Sequence, residues 1–471
     1  MNSMEETIIN LIEIEENKYI NSTNIKTRKS KSQFFTDNNI AEIMTNLLND
    51  FNFNKKKIKI LEPSAGFGML SFNIVKYIVN NTNIENIEIT MYELDKNIIG
   101  SLSKISKYIY NYCEKNNVKF EYTINNKDFT KNNASKFYSN KYDLIITNPP
   151  YSKSIKTSAI CKILKLANVS IEQVNLYQVF MLKCLMLLEK DGVCLTLTPR
   201  NYLVGKYTQD FRRWIFERYS LSKIHYFKTR AIFKEVNQEV IISMFTNNKK
   251  SNIISISNNS DSFKTNFENI VLEKDKLMIG IPNNIDNLNK INKLKDSGLK
   301  LIDLGIICKV GPIVQFRNLE YLDFEKKKDY SPFLILSDIK DNNILFSDRK
   351  IKFKYISNQN PRITKNENMV IIRKVIDKEE ENIIIGAVLE KNFFDSPKIG
   401  IDSNLIFFFG INKELTSLQC LGLYKYLTSE TFKNYYLTIN GTHTINMFEL
   451  ESMYFPDMNT LEEIAKNNLI I

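Results

Sequence analysis

Asn148-Pro149-Pro150-Tyr151 follows directly on the apolar run YDLIIT at 142–147. Two successive prolines lock φ and hold the chain extended, so the turn is rigid. It presents one side-chain amide, one backbone carbonyl and one aromatic ring. Asn148 Oδ1 and the Pro149 carbonyl can both accept from a single –NH2 group, and Tyr151 offers a stacking face to the plane that bears it. Engaging both N–H bonds localises the nitrogen lone pair for attack. For these four residues alone, a structural turn with a buried tyrosine is the other reading.

Three upstream positions add to the first. LEPSAGFGML, Leu61 to Leu70, runs from a strand through Glu62 and Pro63 into small residues, Ala65, Gly66 and Gly68. The glycines let backbone approach a ligand, and the helix that follows offers free N–H donors. The spacing is neither GxGxxG nor GxxxxGK[ST], so a phosphate-cradling loop is not supported. Glu93 in MYELD ends a second strand, where a carboxylate would accept from a ribose diol. Asp128-Phe129 follows a third strand; the acid could accept from an adenine amino group and the ring pack on its face.

These positions require strands that end in the same place. The pattern predicts strands at 58–62, 87–93, 118–124, 142–147, 193–198, 222–227 and 239–245, with helices at 69–79, 97–116 and 175–189. Alternation of this kind means a mostly parallel sheet with helices on both faces, which binds ligands at the carboxyl ends of its strands. Residues 1–30 read as a short amphipathic helix and a basic segment. The Asn-, Ser- and Lys-rich stretch 247–262 reads as a linker. That divides the chain into a catalytic domain over 31–247 and a second, mixed α/β domain over 250–471.

At 471 residues two to three domains are expected. There is no apolar run of 18 residues, and MNSMEETIIN lacks the marks of a signal peptide, so a cytoplasmic location is expected. Six scattered cysteines without a CxxC pair, and two histidines, His225 and His443, argue against structural metal and against a disulfide framework. The net charge of +11 is unevenly placed: residues 1–250 carry 36 Lys and Arg against 24 Asp and Glu, and residues 251–471 carry 28 against 29. The excess is sharpest from Arg200 to Lys234. A basic surface of this kind attracts polyanions, nucleic acid foremost.

Taken together, these motifs resemble an S-adenosylmethionine-dependent DNA N6-adenine methyltransferase of the gamma class, the TaqI type. The order is that of the family, with cofactor motifs first, NPPY next and a target-recognition domain last. QFFT, Gln33 to Thr36, resembles the family's N-terminal cofactor motif, with Phe35 and Thr36 as cofactor contacts; Asp37 follows where the family often has Pro. Glu62 to Gly68 resembles the methionine-binding turn, Glu93 the ribose acid, and Asp128-Phe129 the adenine contact. Asn148 to Tyr151 matches the catalytic motif letter for letter, and Phe233 resembles the second aromatic that stacks on the target base.

The resemblance implies a Rossmann-like methyltransferase domain, S-adenosyl-L-methionine as cofactor, no metal, and duplex DNA as partner, with room for a cognate restriction endonuclease in the cell. A target adenine would be flipped out of the duplex, with Asn148 and Pro149 holding N6 and Tyr151 and Phe233 replacing the lost stacking. Arg200, Lys206, Arg212, Arg230 and Lys234 would meet phosphates. In the C-terminal half, the loops KVGPIVQFRN with Arg317 and NGTHTIN with His443 would reach the DNA. A monomer is expected. RNA adenine, a protein glutamine amide, and a DNA-binding module with an inactive methyltransferase fold stay open as alternatives.

Overall fold

The computed structural model describes residues 3–30, 33–131, 141–227, 239–248, 252–340, 342–346, 352–376, 382–440 and 444–467. They form two compact units, Met1–Glu268 and Asn269–Ile471.

The first unit opens with α1 (Ser3–Ser22), the short α2 (Ile25–Ser30) and α3 (Asn38–Asn46). Then come β1 (Lys57–Glu62), α4 (Met69–Asn81), β2 (Asn86–Tyr92), α5 (Lys96–Lys115), β3 (Lys119–Asn125) and β4 (Tyr142–Thr147). After β4 follow α6 (Ser158–Ala167), α7 (Leu176–Met186), β5 (Leu188–Pro199), α8 (Gln209–Arg218), β6 (Ser220–Tyr226), β7 (Val240–Thr246), β8 (Ile253–Ser257) and β9 (Ser262–Asn266).

All nine strands join one sheet in the order β3-β2-β1-β4-β5-β7-β6-β8-β9. The first five in that order run parallel, and β7 enters antiparallel between β5 and β6. This is a Rossmann-like α/β fold. Parallel register puts Glu62 beside Met91 and Thr147 beside Thr196, so β1, β2 and β4 end together and β5 runs on to Pro199. One face of the sheet, with Ile58, Ile60, Leu144, Ile146, Leu195 and Leu197, shares a core with the apolar sides of α1, α3, α4 and α5. The N-terminal helix is part of that core through Ile8, Ile9 and Ile12. Asp37, standing where the resembled family often has Pro, caps α3 by accepting from Ile40 N at 2.9 Å.

The division between units corrects the expected linker. Residues 253–266 are two strands of the first unit's sheet, β8 parallel to β6 and β9 antiparallel to β8. Only Ile254 and Ile256 of β8 are buried, and β9 buries nothing fully. Half-exposed strands at and beside a sheet edge carry a polar, loop-like composition.

In the second unit, Ile306–Val310, Leu405–Gly410, Met369–Arg373 and Gly386–Leu389 make a four-stranded sheet. A five-stranded sheet of shorter strands centres on Tyr330–Leu334. Helices Ile285–Ser297, Ser417–Leu427, Glu430–Ile439 and Met458–Asn467 complete the mixed α/β unit.

Candidate active site

The turn after β1 is built for close approach. Gly66 and Gly68 take φ of +53° and +84°, the left-handed region that a side chain rarely enters, and Gly68 opens α4 without a side-chain cap. Glu62 is 1% exposed and bonded by the Ser71 hydroxyl from the first turn of α4. Burial pushes its carboxyl up to about 8, with the Ser71 bond pulling the other way. Pro63 and Ala65 are buried behind the turn. Ser64 Oγ ties it to the end of β4, 3.0 Å from the Asn148 carbonyl and 3.1 Å from Thr147 Oγ1.

Glu93 lies just past β2, facing the same turn. It accepts from Gly66 N at 2.9 Å through one oxygen and from Asp95 N at 2.7 Å through the other. Each carboxylate oxygen keeps a lone pair for a further donor. Burial raises its pKa, and the two backbone bonds oppose the rise. Asp95 is itself held from the N-terminal segment: Tyr19 Oη and Gln33 Nε2 reach Asp95 Oδ2 at 2.8 and 3.0 Å. The Tyr19, Phe35 and Phe67 rings meet edge to face beside the turn, 5.1 to 5.9 Å apart. A Cβ on Gly66 would come within 3.2 Å of the Phe35 ring, so Phe35 seals the turn.

Asn148 is locked by the QFFT segment. Its Nδ2 donates to the Phe34 carbonyl and to Thr36 Oγ1, both at 3.0 Å. A carbonyl can only accept, so this side of the amide is its nitrogen and Oδ1 is the acceptor end. The Tyr151 hydroxyl lies 2.8 Å from that Oδ1 and 3.1 Å from the Leu197 carbonyl. Burial holds the Tyr151 phenol well above its ordinary pKa, so it is a donor and not a phenolate. Its ring lies across from Phe34, centroids 6.4 Å apart at 28°. Pro149 is buried beneath.

Asp128 and Phe129 follow β3. Asp128 caps its own turn, accepting from Thr130 N at 2.9 Å and Thr130 Oγ1 at 2.7 Å. Phe129 is 3% exposed, packed on Tyr92 and Phe180 at 5.2 Å each. Lys183 stands 4.2 Å from the centre of that ring and donates to the Phe129 carbonyl. Burial draws its ammonium down to about 8. The Phe129 ring is therefore wall, and Asp128, partly exposed, is the member of the pair with surface to offer.

Phe35, Thr36, Glu62, Gly66, Gly68, Glu93, Asn148 and Tyr151 thus gather at the carboxyl ends of β1, β2 and β4. Sequence reasoning missed Tyr19, Asp95 and Lys183. A lysine amid the apolar helix LYQVFMLKCLM was a legible signal; Tyr19 had none, since its partner Asp95 is 76 residues away.

The expected phosphate contacts divide. Arg200 is 7% exposed and paired with Glu239 at 2.7 Å. Arg212 is fully buried, donating to the Tyr202 and Gly205 carbonyls and to Thr208 Oγ1. Both expectations are corrected: α8 turns Arg212 inward to satisfy carbonyls of the irregular segment before it. Lys206 is exposed. Arg230, Phe233, Lys234 and His443 lie outside the described residues. Arg317 is exposed, its guanidinium 5.3 Å from the Phe316 ring centre. Trp214 is a buried helix anchor beside Tyr219.

The donor set suits S-adenosylmethionine. A left-handed glycine turn opens a helix of 13 residues beside a buried carboxylate, and the Glu93 carboxylate faces the same turn. Among the described residues no group of three His, Cys, Asp or Glu could hold a metal, and no helix is long and apolar enough to cross a membrane.

Comparison with known proteins agrees with this geometry. The chain is 28% identical to the type II methyltransferase M.PstI of Providencia stuartii over 466 residues, covering 94% of this chain and 91% of that protein. It is 26% identical to M.BsuBI of Bacillus subtilis, with the same coverage. Among solved structures, the DrdV–DNA complex aligns with a TM-score of 0.51 at 11% identity, over 97% of this chain and 59% of that one. A nuclease-deletion mutant of the type ISP restriction-modification enzyme LlaGI, in complex with a DNA substrate mimic, aligns at 0.51 and 12%, over 92% and 54%. The chain thus spans a little over half the length of those two structures, whose likeness is one of fold. Residues 75–233 match the Eco57I restriction-modification methylase family, and nearly the whole chain is homologous to type II methyltransferases.

Proposed function

We propose that this protein is a site-specific DNA methyltransferase that moves a methyl group from S-adenosylmethionine to N6 of an adenine flipped out of duplex DNA. The observation that carries the reading is the locked Asn148 amide, both N–H bonds engaged by Phe34 O and Thr36 Oγ1, leaving Oδ1 as a fixed acceptor. A donor amino group would take the place at Oδ1 now used by the Tyr151 hydroxyl, and the Pro149 carbonyl would accept its second proton. Tyr151 would then turn its ring to the base, and Phe233 would supply the other face. S-adenosylmethionine, when bound, supplies an activated methyl on a sulfonium. Glu93 would hold its ribose and Asp128 its adenine, and Gly66 and Gly68 would let backbone reach its amino-acid end. Catalysis is then chiefly alignment and electrostatics. Homology to type II methyltransferases supports DNA as the acceptor. The Asn in NPPY, in a group where N4-cytosine enzymes usually carry Ser, supports adenine. The second unit would read the sequence, with Arg317 among its contacts, and Lys206 would meet a phosphate.

The test is methyl transfer from labelled S-adenosylmethionine to unmethylated duplex DNA, wild type against Asn148→Ala, with the product nucleoside identified by mass spectrometry. N6-methyladenine made by the wild type and lost in the variant supports the reading. Transfer to RNA or to a protein glutamine alone replaces the substrate and keeps the site.

A further inference from the structure

Four residues past Tyr151 the chain makes a pinned loop with an unusual tip. Ile155 is 86% exposed, more than any other large apolar side chain among the described residues. A scattered surface isoleucine is ordinary, but the setting of this one is not. Its loop is held on both sides: Ser154 N donates to Val174 O and Leu176 N to Ser152 O, each at 2.9 Å, and Lys153 bridges to Asn175. The tip is tightened by Thr157 N on Ile155 O at 2.9 Å and Ser154 Oγ on the same oxygen at 3.1 Å. Thr157 then caps α6. A β-branched side chain on a backbone fixed in this way is held out in water.

The chain segment that carries it is basic. Between Asp143 and Glu172 there is no carboxylate, and there are four lysines, Lys153, Lys156, Lys162 and Lys165. All four are exposed. Lys156 follows Ile155 directly, and Lys153 stands two residues before it. An apolar tip between cations matches one chemistry well, a base stack between two phosphate backbones.

We propose that Ile155 is a wedge that enters the DNA stack beside the target adenine, with Lys153 and Lys156 on the flanking phosphates. The inference rests on the reading of duplex DNA as substrate and deepens it. Extruding a base leaves a gap whose lost stacking must be replaced; a side chain in the gap opposes the base's return. A wedge fixed to the segment that follows NPPY is placed by the same turn that holds the extruded base.

The test uses the full-length protein on a duplex whose target site has been mapped with the wild type. Ile155→Ala should lower kcat/KM on the paired duplex about tenfold and abolish the fluorescence gain of 2-aminopurine at the target position. Both should recover on a duplex in which the target faces an abasic site, where extrusion costs less. Ile155→Leu should stay within about twofold of wild type. Lys153→Gln and Lys156→Gln should each reduce the salt dependence of binding by about one released ion. An Ile155→Ala enzyme that matches wild type on the paired duplex overturns the proposal, and so does a loss equal on both duplexes. A wild type that transfers nothing to DNA overturns the substrate reading as well, a pattern distinct from an active wild type with an indifferent variant.

Discussion

Asn148 Nδ2 stands 3.0 Å from Thr36 Oγ1, joining the turn after β4 to a segment 112 residues earlier in the chain. With the Phe34 carbonyl on the second proton, the amide has one orientation available. Thr36 is 7% exposed, so the bond is not exchanged with water. Thr36 therefore reads first as a positioning residue for Asn148, beside the cofactor contact that the resemblance implies.

That gives a split in kinetics. Thr36→Val keeps the shape and removes the acceptor, and should lower kcat about tenfold, the scale of one hydrogen bond whose partner is left buried. S-adenosylmethionine affinity should stay within about twofold, and Thr36→Ser should restore kcat. Calorimetric binding with single-turnover methylation separates the two. A large loss of cofactor binding with unchanged turnover would return Thr36 to a purely cofactor-binding role.

Tyr151 offers a hydroxyl and a ring, and only the ring is required by the proposed chemistry. Its hydroxyl occupies Asn148 Oδ1 at 2.8 Å, where a target amino group would have to bind. Tyr151→Phe should therefore keep kcat/KM within a few fold, whereas Tyr151→Ala should lose about tenfold to a hundredfold, the worth of one aromatic platform. Equal losses in both variants, measured on the same duplex, would assign the work to the hydroxyl.

Arg212 was expected on a phosphate and is found fully buried, satisfying two carbonyls and a hydroxyl. Arg212→Met should cost about 2–4 kcal/mol of stability by leaving those acceptors unpaired. The salt dependence of DNA binding should not change. Exposed Lys206→Gln should do the reverse, with unfolding unaltered and the log–log salt slope reduced by about one. Denaturant unfolding and a salt titration of binding read the two effects apart.

The pattern of the site was legible where it was local. Glycines at 66 and 68 mark a turn open to close approach, and YDLIIT before NPPY marks an apolar strand; the structure has a left-handed turn and β4 at those residues. What escaped was long-range. Arg200 and Arg212 sit in a basic run, and sequence shows that run but not which side of α8 faces inward. The edge strand β9 and its neighbour β8 were hidden because strands half in water need only Ile254 and Ile256 as apolar anchors. Tyr19 and Asp95 show no pattern at all, since only the tertiary fold brings them within 2.8 Å.

Tyr19 acts on the site through Asp95, whose backbone N–H in turn fixes Glu93. Tyr19→Phe removes the hydroxyl and leaves the ring packing on Phe35 and Phe67. It should weaken S-adenosylmethionine binding about three- to tenfold with kcat at saturation unchanged. An unaltered cofactor affinity by calorimetry would make the network purely structural.

Glu62 gives the fold a pH signature. Its carboxyl is raised from 4.5 to about 8, chiefly by burial. Between those values the unfolded chain has released this proton and the folded protein still holds it. The folded state therefore binds more protons, and stability must fall as pH rises. The contribution is complete below about pH 4.5 and is lost as pH climbs through about 8, at up to about 1.4 kcal/mol per pH unit for one proton. Glu93, also raised by burial, adds a slope of the same sign. Glu62→Gln keeps the shape and cannot ionise, so subtracting its unfolding free energy from that of the wild type isolates one residue. For the cofactor-free protein that difference should shrink steadily from about pH 5 to about pH 8 and level off above. A difference that stays flat across the window would mean that Glu62 ionises in the fold as freely as in water, and that the buried Ser71 bond holds a carboxylate and not an acid.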